Sequence, residues 1–393
     1  MSRRPTARRR RPLTIAVTGL NATDNPAPGV GVLRALQLAR PQDRLIGLAY
    51  DALDPGIYTR DLVSDVFLLP YPSQGLEPLL ARIEYIHFRT PLDVIVPTLD
   101  SELPAFIEAG PQLRRMGIAT FLPSREQLEL RSKAQLAALG LRSRISVPAT
   151  AVITTLAELA QVHHRVPYPF FVKGVFYGAT LAKDQQAAEA AFHKFAAEWG
   201  LPIIVQTAVP GDEVNVVALG DGEGGLVGAV AMKKLLITDK GKGWAGVTIR
   251  DEALLRLSQS FMAATGWRGG CELELIRDRS GGYHLIEINP RFPAWVYLSA
   301  AAGINLPAHL VELAGGGRVP PQLQYEIGKL FVRISYDQIA TLDDFQQMLI
   351  HGELSRQLSS LPGMVVPRRR TRSSSSPSVR PAPLSSVSEG VSP

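Results

Sequence analysis

Short runs of apolar residues alternate with longer amphipathic segments over the first third of the chain. The apolar runs predict four buried strands, at residues 13–17, 44–50, 66–69 and 93–96. Amphipathic segments at 31–39 and 76–88 predict helices. Because buried strands separated by helices are typical of βαβ units, residues 12–125 are predicted to form a parallel, Rossmann-like α/β domain.

The pattern changes from about residue 126. Segments with helical spacing predict helices, at 126–141, 187–199 and 251–265. Shorter apolar segments with glycine-rich turns predict strands, at 168–174, 203–207, 213–219 and 226–232. The segments 272–277 and 283–288 predict a hairpin, because the turn residues between them suit antiparallel pairing. This part of the chain is therefore predicted to be an α+β region built on antiparallel sheet.

Oxygen ligands recur on one face of the predicted hairpin. Glu272 and Glu274 share a face because side chains alternate along a strand, and Glu287 and Asn289 do the same on the next strand. Pairing of the two strands would bring Glu274, Glu287 and Asn289 together as ligands for Mg²⁺. Arg291, beside them, could offer a fork of donors to phosphate. A solvated hairpin with scattered charges is the alternative interpretation.

Two further motifs indicate ligand binding. Lys173 lies inside an apolar strand, which is unfavourable unless the ammonium meets an anion such as phosphate; an edge-strand lysine that reaches solvent is the alternative. Lys133 on its predicted helix is uninformative by itself. Asp100 and Glu102 follow the fourth strand, where open α/β sheets present ligand groups, and we name them as substrate residues. Capping of the next helix by Asp100 or by Ser101 is the alternative.

Taken together, these motifs resemble the ATP-grasp ligases, especially the carbamoyl-phosphate-synthase-like and biotin-carboxylase-like members, over about residues 12–340. Four segments carry the resemblance: 131–140 with Lys133, 170–178 with Lys173, 204–214 with Glu213, and 287–291 with the motif Glu-Ile-Asn-Pro-Arg. The resemblance implies a pre-ATP-grasp α/β domain followed by a two-subdomain ATP-grasp fold.

The resemblance also implies roles for individual residues. Lys133 and Lys173 would bind the phosphates of ATP, and Arg291 would act with Lys173 in phosphoryl transfer. The lid would include Gly174 and Gly178. The nucleotide would further contact the hinge, formed by Gln206, Thr207, Ala208 and Val209. Glu213 would bind its ribose. Mg²⁺, for which Mn²⁺ could substitute, would be held by Glu274, Glu287 and Asn289. The implied reaction forms an acyl phosphate that an amine or a similar nucleophile attacks, with release of ADP and phosphate.

The resemblance, together with the composition of the two arms, implies the domain bounds. We predict a basic disordered arm at 1–11 and the pre-ATP-grasp domain at 12–125. The ATP-grasp fold would consist of a small lid subdomain at 126–205 and a large subdomain with the metal site at 206–345. A C-terminal extension at 346–365 and a disordered tail at 366–393 would follow.

Charge and composition narrow the classes of function. The chain has 393 residues, 46% hydrophobic and 20% charged, which is typical of globular proteins. Six arginines in residues 1–11 and five in 366–393 supply its positive charge, so the region between them is net negative and nucleic-acid binding is disfavoured. Cys271 is the single cysteine, which excludes a disulfide framework or a multi-cysteine metal site.

The apolar runs and the N-terminal arm of the sequence indicate where the protein is located and which partners it has. No apolar run reaches the ~18 residues that span a bilayer. The first eleven residues lack the apolar stretch of a signal peptide. An arginine-rich transit peptide is an alternative interpretation of this arm. We expect a cytoplasmic enzyme with small-molecule substrates, no membrane partner, and a homodimer as an allowed assembly.

Two other functions are considered. A nicotinamide-dependent oxidoreductase could use residues 12–125, since Asp51 stands where a ribose acid would lie in a dinucleotide fold. However, the segment 29–34 is only half of the glycine fingerprint, so we interpret its glycines as turn and packing residues. A non-catalytic ATP-binding protein is the second alternative.

Overall fold

The computed structural model describes residues 11–22, 25–132, 135–174, 178–238 and 241–355, all within one compact unit. Lys133 and residues 175–177 of the predicted lid lie outside the described residues. Residues 1–10 of the N-terminal arm and residues 356–393, which include the whole C-terminal tail, also lie outside them.

The N-terminal sheet is parallel, as predicted. Its first strands are β1 (Thr14–Val17), β2 (Arg44–Ala49), β3 (Asp65–Leu68) and β4 (Val94–Val96). The intervening and following helices are α1 (Pro28–Ala39), α2 (Leu76–Arg89) and α3 (Leu103–Arg115). Strand β1 lies between β2 and β4, and all these pairs run parallel. Each face of the sheet is covered, because Ile15 and Val17 pack into one core and Ala16 into another.

The predicted helix at 126–141 is wrong. The structure has two shorter helices there, α4 (Arg125–Leu130) and α5 (Leu136–Ser143). Leu128 of α4 packs into the core of the N-terminal sheet, whereas Leu136 and Leu139 of α5 pack into the core of a later sheet. The segment is therefore helical as its spacing predicts, but its two helices pack into different hydrophobic cores.

A four-stranded antiparallel sheet follows. Its strands are β5 (Thr150–Ile153), β6 (Phe170–Lys173), β7 (Ala179–Ala182) and β8 (Ile203–Thr207), in the order β5-β8-β6-β7. Two helices, α6 (Leu156–Val162) and α7 (Gln185–Trp199), contribute to the core on one face with residues such as Leu159 and Phe195. The other face carries Lys173 and Gln206. The predicted domain bound at 205/206 falls inside β8.

The largest sheet has six antiparallel strands, in the order β13-β12-β9-β10-β11-β14. These strands are β9 (Gly211–Asp221), β10 (Leu226–Ile237), β11 (Gly243–Ile249), β12 (Arg268–Asp278), β13 (Tyr283–Asn289) and β14 (Leu330–Val332). Three helices accompany them, α8 (Glu252–Thr265), α9 (Tyr297–Ala301) and α10 (Leu306–Ala314). The predicted hairpin is present as β12 and β13. The buried Cys271 fills the core beneath this sheet.

The chain then returns to the N-terminal sheet. Helix α11 (Leu342–His351) buries Met348, and β15 (Glu353–Ser355) pairs antiparallel with β3. Arg82 fixes this return, since its guanidinium donates to the carbonyls of Leu68 (2.8 Å) and Gly352 (2.6 Å). The predicted bound at 345/346 therefore falls inside α11.

Among the described residues, no helix is long and apolar enough to cross a membrane.

Candidate active site

The predicted metal ligands meet across β12 and β13. Glu274 stands directly opposite Glu287, and Glu272 stands opposite Asn289. The Asn289 amide donates to Glu272 Oε2 (2.9 Å) and to Glu274 Oε1 (2.8 Å). Carboxylates placed opposite one another on a sheet repel unless a cation lies between or beside them. The pairing therefore creates a site of concentrated negative charge, as the sequence predicts.

Glu272 is buried and accepts hydrogen bonds from three neighbouring side chains. Its carboxylate accepts from Asn215 Nδ2 and Trp295 Nε1, both at 2.7 Å, in addition to the Asn289 amide. Burial raises the pKa of Glu272, and the nearby Glu274 carboxylate adds to this effect, although Arg291 and the amide and indole donors oppose it. Its place at the back of the cluster makes Glu272 an anchor for the Asn289 side chain.

Lys234 supplies the missing positive charge, and the sequence interpretation overlooked it. Its ammonium on β10 lies 2.6 Å from Glu213 Oε2 and 3.4 Å from Glu274 Oε2. Burial by itself would lower the pKa of Lys234, but these two carboxylates raise it above the ordinary value. The predicted ribose residue and a predicted metal ligand thus share one cation. Only the pairing of β10 with β9, and of β9 with β12, brings the three side chains together.

Glu274 stays ionised in this environment. Burial would raise the pKa of Glu274, but Lys234 and Lys242 lower it, together with the hydrogen bond from Asn289. A carboxylate held in its charged form is the state that coordinates a metal ion.

Arg291 links the cluster to the N-terminal sheet. Its Nε donates to Asp100 Oδ2 (2.9 Å), and its Nη1 lies 3.7 Å from Glu272 Oε2. Arg131 donates to the other oxygen of Asp100 (3.0 Å). Burial would lower the pKa of Arg291, but Asp100 and Glu272 raise it. Asp100 thus binds two arginines at the carboxyl end of β4, and its proposed role as a helix cap does not fit these contacts.

Glu102 is enclosed rather than exposed to a ligand. Its carboxylate accepts hydrogen bonds from the hydroxyls of Thr18 and Tyr50, and from the backbone N–H groups of Thr98 (2.7 Å) and Leu99 (2.8 Å). Burial raises the pKa of Glu102 despite these donors. The four contacts tie together the ends of β1, β2 and β4, so the geometry favours a structural role over the predicted substrate role.

Lys173, the second lysine predicted to bind phosphate, lies on β6 of the four-stranded sheet. Lys173 Nζ donates to Gln206 Oε1 (2.6 Å), and Gln206 Nε2 donates to Thr150 Oγ1 (3.2 Å). Lys173 and Gln206 are buried, and they lie on the face opposite the core of this sheet. The lysine therefore does not reach solvent from an edge, which was the alternative interpretation.

The residues predicted to form the hinge and the lid lie next to this lysine. Thr207 ends β8, and the backbone N–H of Ala208 donates to the Pro169 carbonyl (3.2 Å), with Val209 following. Gly174 N–H donates to the Gly178 carbonyl (3.4 Å), which closes the base of the lid loop. Gly178 has φ +87°, and a Cβ there would lie 2.5 Å from the Phe195 ring, so glycine is required.

The donor set fits a magnesium ion that also binds phosphate. Within the described ranges, no group of three or more His, Cys, Asp and Glu side chains could hold a metal by itself. Two carboxylates and one amide match a hard cation whose remaining ligands are water and nucleotide oxygens. Asn215 Oδ1, buried beside Glu272, has no hydrogen-bond partner among the described residues, so the pocket retains an unused oxygen.

The glycines after β1 serve packing. A Cβ on Gly29 would lie 2.0 Å from the Thr18 carbonyl oxygen and 2.4 Å from that of Gly19. The N–H of Gly29 also donates to the Gly19 carbonyl (3.0 Å). This close approach of the α1 N-terminus to β1 explains the glycine without a dinucleotide.

Comparisons with known proteins agree with this architecture. Residues 201–333 match the family described as ATP-grasp in the biosynthetic pathway with Ter operon. Biotin carboxylase from Campylobacter jejuni is 13% identical with a TM-score of 0.63, covering 80% of this chain and 74% of that chain. No curated protein matches the sequence.

Two further solved structures share the architecture. N5-carboxyaminoimidazole synthetase from Staphylococcus aureus is 13% identical with a TM-score of 0.59, covering 80% of each chain. L-amino acid ligase from Bacillus licheniformis is 17% identical with a TM-score of 0.59, covering 79% of this chain and 76% of that chain. At these identities the likeness establishes a common fold.

Proposed function

Because the chain has the ATP-grasp fold, we propose that it is an ADP-forming carboxylate–amine ligase. The γ-phosphoryl group of ATP passes to a carboxylate oxygen, so that the bond to the β-phosphate breaks and ADP leaves. An amine then attacks the acyl carbon, loses a proton and displaces phosphate. The observation that carries the proposal is the cross-strand pairing of Glu274 with Glu287, beside Lys234 and Arg291.

The acids are assigned to metal binding. Glu274, Glu287 and Asn289 would hold Mg²⁺, after the Asn289 amide turns its oxygen toward the ion. When bound, Mg²⁺ would neutralise charge on the phosphates of ATP and on the leaving ADP. Glu272 would hold the Asn289 amide in its metal-free orientation, since that contact is broken when the amide turns.

The cations are assigned to the phosphates. Lys173 and Lys133 would bind α- and β-phosphate oxygens, as the family resemblance implies. Lys234 is buried between Glu213 and Glu274, next to the proposed metal ligands, so it would shift from these acids to the terminal phosphate as ATP enters. Arg291, held at Nε by Asp100, would present its remaining donors to the transferring phosphoryl group and to the acyl adduct.

The hinge is assigned to the nucleoside. Gln206, Thr207, Ala208 and Val209 would line the adenine, and Glu213 would bind the ribose once Lys234 leaves it. Gly174 and Gly178 would carry a lid that shields the acyl phosphate from water. The acid and the amine would enter at the carboxyl end of β4, where Asp100 and Arg131 lie beside Arg291.

The assignment of Lys173 gives a binding test. Lys173→Met keeps most of the packing but removes the charge, so MgATP should bind about 10- to 150-fold more weakly, the equivalent of roughly 1.5–3 kcal/mol. Isothermal titration of MgATP into the full chain measures this change. Lys194→Met, an exposed lysine on α7, is the matched control and should leave the affinity unchanged.

Two results would contradict the proposal. Full MgATP affinity in Lys173→Met would show that the lysine acts by packing alone. Binding of NADH in place of MgATP by the unaltered chain would favour the oxidoreductase alternative.

A further inference from the structure

The hairpin of β10 and β11 has an irregular end next to the candidate active site. Strand β10 pairs with β9 as far as Lys233, and from there to Ile237 its recorded partners lie on β11. The register shifts between Lys234 and Leu236, and again between Leu236 and Ile237. Irregularities of this kind bend a strand and are common beside active sites. The end of the hairpin is therefore expected to leave the plane of the sheet.

A hydrogen bond shows towards which face the hairpin bends. Lys234 Nζ donates to the Gly241 carbonyl (3.2 Å), and the same ammonium contacts Glu213 and Glu274. In a straight hairpin the tip would begin about 10 Å beyond Lys234, because each strand residue adds about 3.3 Å. The contact with Gly241 means that the tip instead curves back over the face of the sheet that carries Glu274.

Local hydrogen bonds fix the tip in this position. Thr238 N–H donates to the Lys242 carbonyl (2.8 Å), and Gly241 N–H donates to the Thr238 carbonyl (2.8 Å). Lys242 N–H donates to Thr238 Oγ1 (3.2 Å). Gly241 has φ +75°, a conformation that favours glycine. Lys242 is thus held directly after the residue whose carbonyl binds Lys234, beside the proposed metal ligands.

The charge of Lys242 acts on one of these ligands. Burial would raise the pKa of Glu274, but Lys234 lowers it, and Lys242 lowers it further. Lys242 is exposed, and the contacts that the described residues make with it involve its backbone. By contrast, the exposed Lys233 of the same hairpin forms an ion pair with Asp212 (2.8 Å). The ammonium of Lys242 is therefore available to an anion that enters the site.

We propose that Lys242 binds the γ-phosphate of ATP and stabilises it during transfer. This inference rests on the proposed function, because it adds a residue to the same site. The bond between the γ-phosphorus and the β-phosphate oxygen breaks as a bond to the substrate carboxylate forms. The phosphoryl oxygens stay negatively charged throughout, so a positioned ammonium stabilises them without giving up a proton.

The charge balance of the site favours this role. MgATP is an anion, and it would enter a site that is rich in carboxylates, where each charge needs a partner. Lys234 already lies between two carboxylates, and Arg291 is held by Asp100. Lys242 has no such acid partner within the described ranges, so it brings positive charge that the protein itself has not neutralised.

The position of Lys242 points to the γ-phosphate in particular. In phosphoryl transfer the metal ion bridges oxygens of the β- and γ-phosphates. Lys242 acts on Glu274, which is a proposed ligand of that metal, whereas Lys133 and Lys173 are assigned to the α- and β-phosphates. The γ-phosphate is therefore the group that Lys242 would meet.

A comparison of two nucleotides tests the inference. The β,γ-imido analogue of ATP keeps a γ-phosphate and does not turn over, whereas ADP lacks this phosphate. Lys242→Met should weaken binding of the imido analogue with Mg²⁺ at least about 10-fold, through loss of a hydrogen bond to a charged group. MgADP affinity should stay within about twofold. Isothermal titration into the full chain measures both, and Lys242→Arg should restore most of the lost affinity.

Two further variants serve as comparisons. Lys233→Met removes a lysine from the same hairpin on the opposite face, since side chains alternate along a strand, and should leave both affinities unchanged. Lys173→Met should weaken both nucleotides, because Lys173 is assigned to phosphates that ATP and ADP share. A loss confined to the nucleotide with a γ-phosphate is therefore specific to the proposed role of Lys242.

Three results would overturn the inference. Unchanged affinity of Lys242→Met for the imido analogue would show that the lysine does not touch the γ-phosphate. An equal loss for both nucleotides would show that it acts only through its general charge. Either result leaves the proposed function intact, since the unaltered chain still binds MgATP. Failure of the unaltered chain to bind either nucleotide would overturn both proposals together.

Discussion

Replacement of Glu287 by glutamine is expected to lower ATP turnover by about 1000-fold or more, the equivalent of several kcal/mol of transition-state stabilisation. Glutamine keeps the shape of the side chain but removes the negative charge that faces Glu274 across the two strands. The metal ion would then lose one of its two carboxylates. Release of ADP at saturating Mg²⁺ measures the effect, and circular dichroism checks that the fold is retained.

The matched control is Glu252→Gln, which makes the same chemical change on the exposed first turn of α8. Turnover should stay within about twofold there, as for surface substitutions away from the site. ADP release by Glu287→Gln at the wild-type rate would show that this carboxylate does not serve the metal.

Arg291→Lys is expected to lower kcat by about 100- to 1000-fold, the range for removal of one preorganised donor to a developing oxyanion. Lysine keeps the positive charge but cannot hold Asp100 through one nitrogen and present others to the substrate. MgATP affinity should change by only a few-fold, since the proposed role of Arg291 concerns the transferring phosphoryl group. Titration of MgATP and steady-state ADP release separate the two effects.

Arg131→Lys distinguishes substrate contact from anchoring. Arg131 is the second arginine on Asp100, but it has no contact with Glu272 or Asn289 among those the structure describes. Its replacement should cost much less than that of Arg291. An equal loss of kcat in both variants would mean that the shared contact with Asp100 matters, and that Arg291 has no direct catalytic role.

The hairpin of β12 and β13 could be predicted because its determinants are local. Glu274 and Glu287 are separated by one short turn, so alternation along each strand is enough to bring them together. Lys234 could not be found in the same way. Its contacts with Glu213 and Glu274 depend on the register of three strands, and the two consecutive lysines at 233 and 234 differ only in which face they occupy.

Other misses have comparable causes. The pairing of Leu354 with Val66 joins positions nearly 290 residues apart, and neither β15 nor α11 has a motif that indicates its partner. For Glu102 the sequence suggests a functional role that the structure does not favour. An acid at the carboxyl end of a strand suggests a ligand, but sequence does not show that two hydroxyls and two backbone N–H groups enclose it.

The central claim is that the chain converts a carboxylate into an acyl phosphate with ATP, and trapping with hydroxylamine tests it most directly. Hydroxylamine attacks an acyl phosphate in place of the natural amine and leaves a stable hydroxamate. With MgATP and a panel of carboxylic acids that includes amino acids, at least one acid should yield hydroxamate and ADP in equal amounts. Glu287→Gln should yield neither. Release of ADP that no acid stimulates, with no hydroxamate from an enzyme that binds MgATP, would contradict the account.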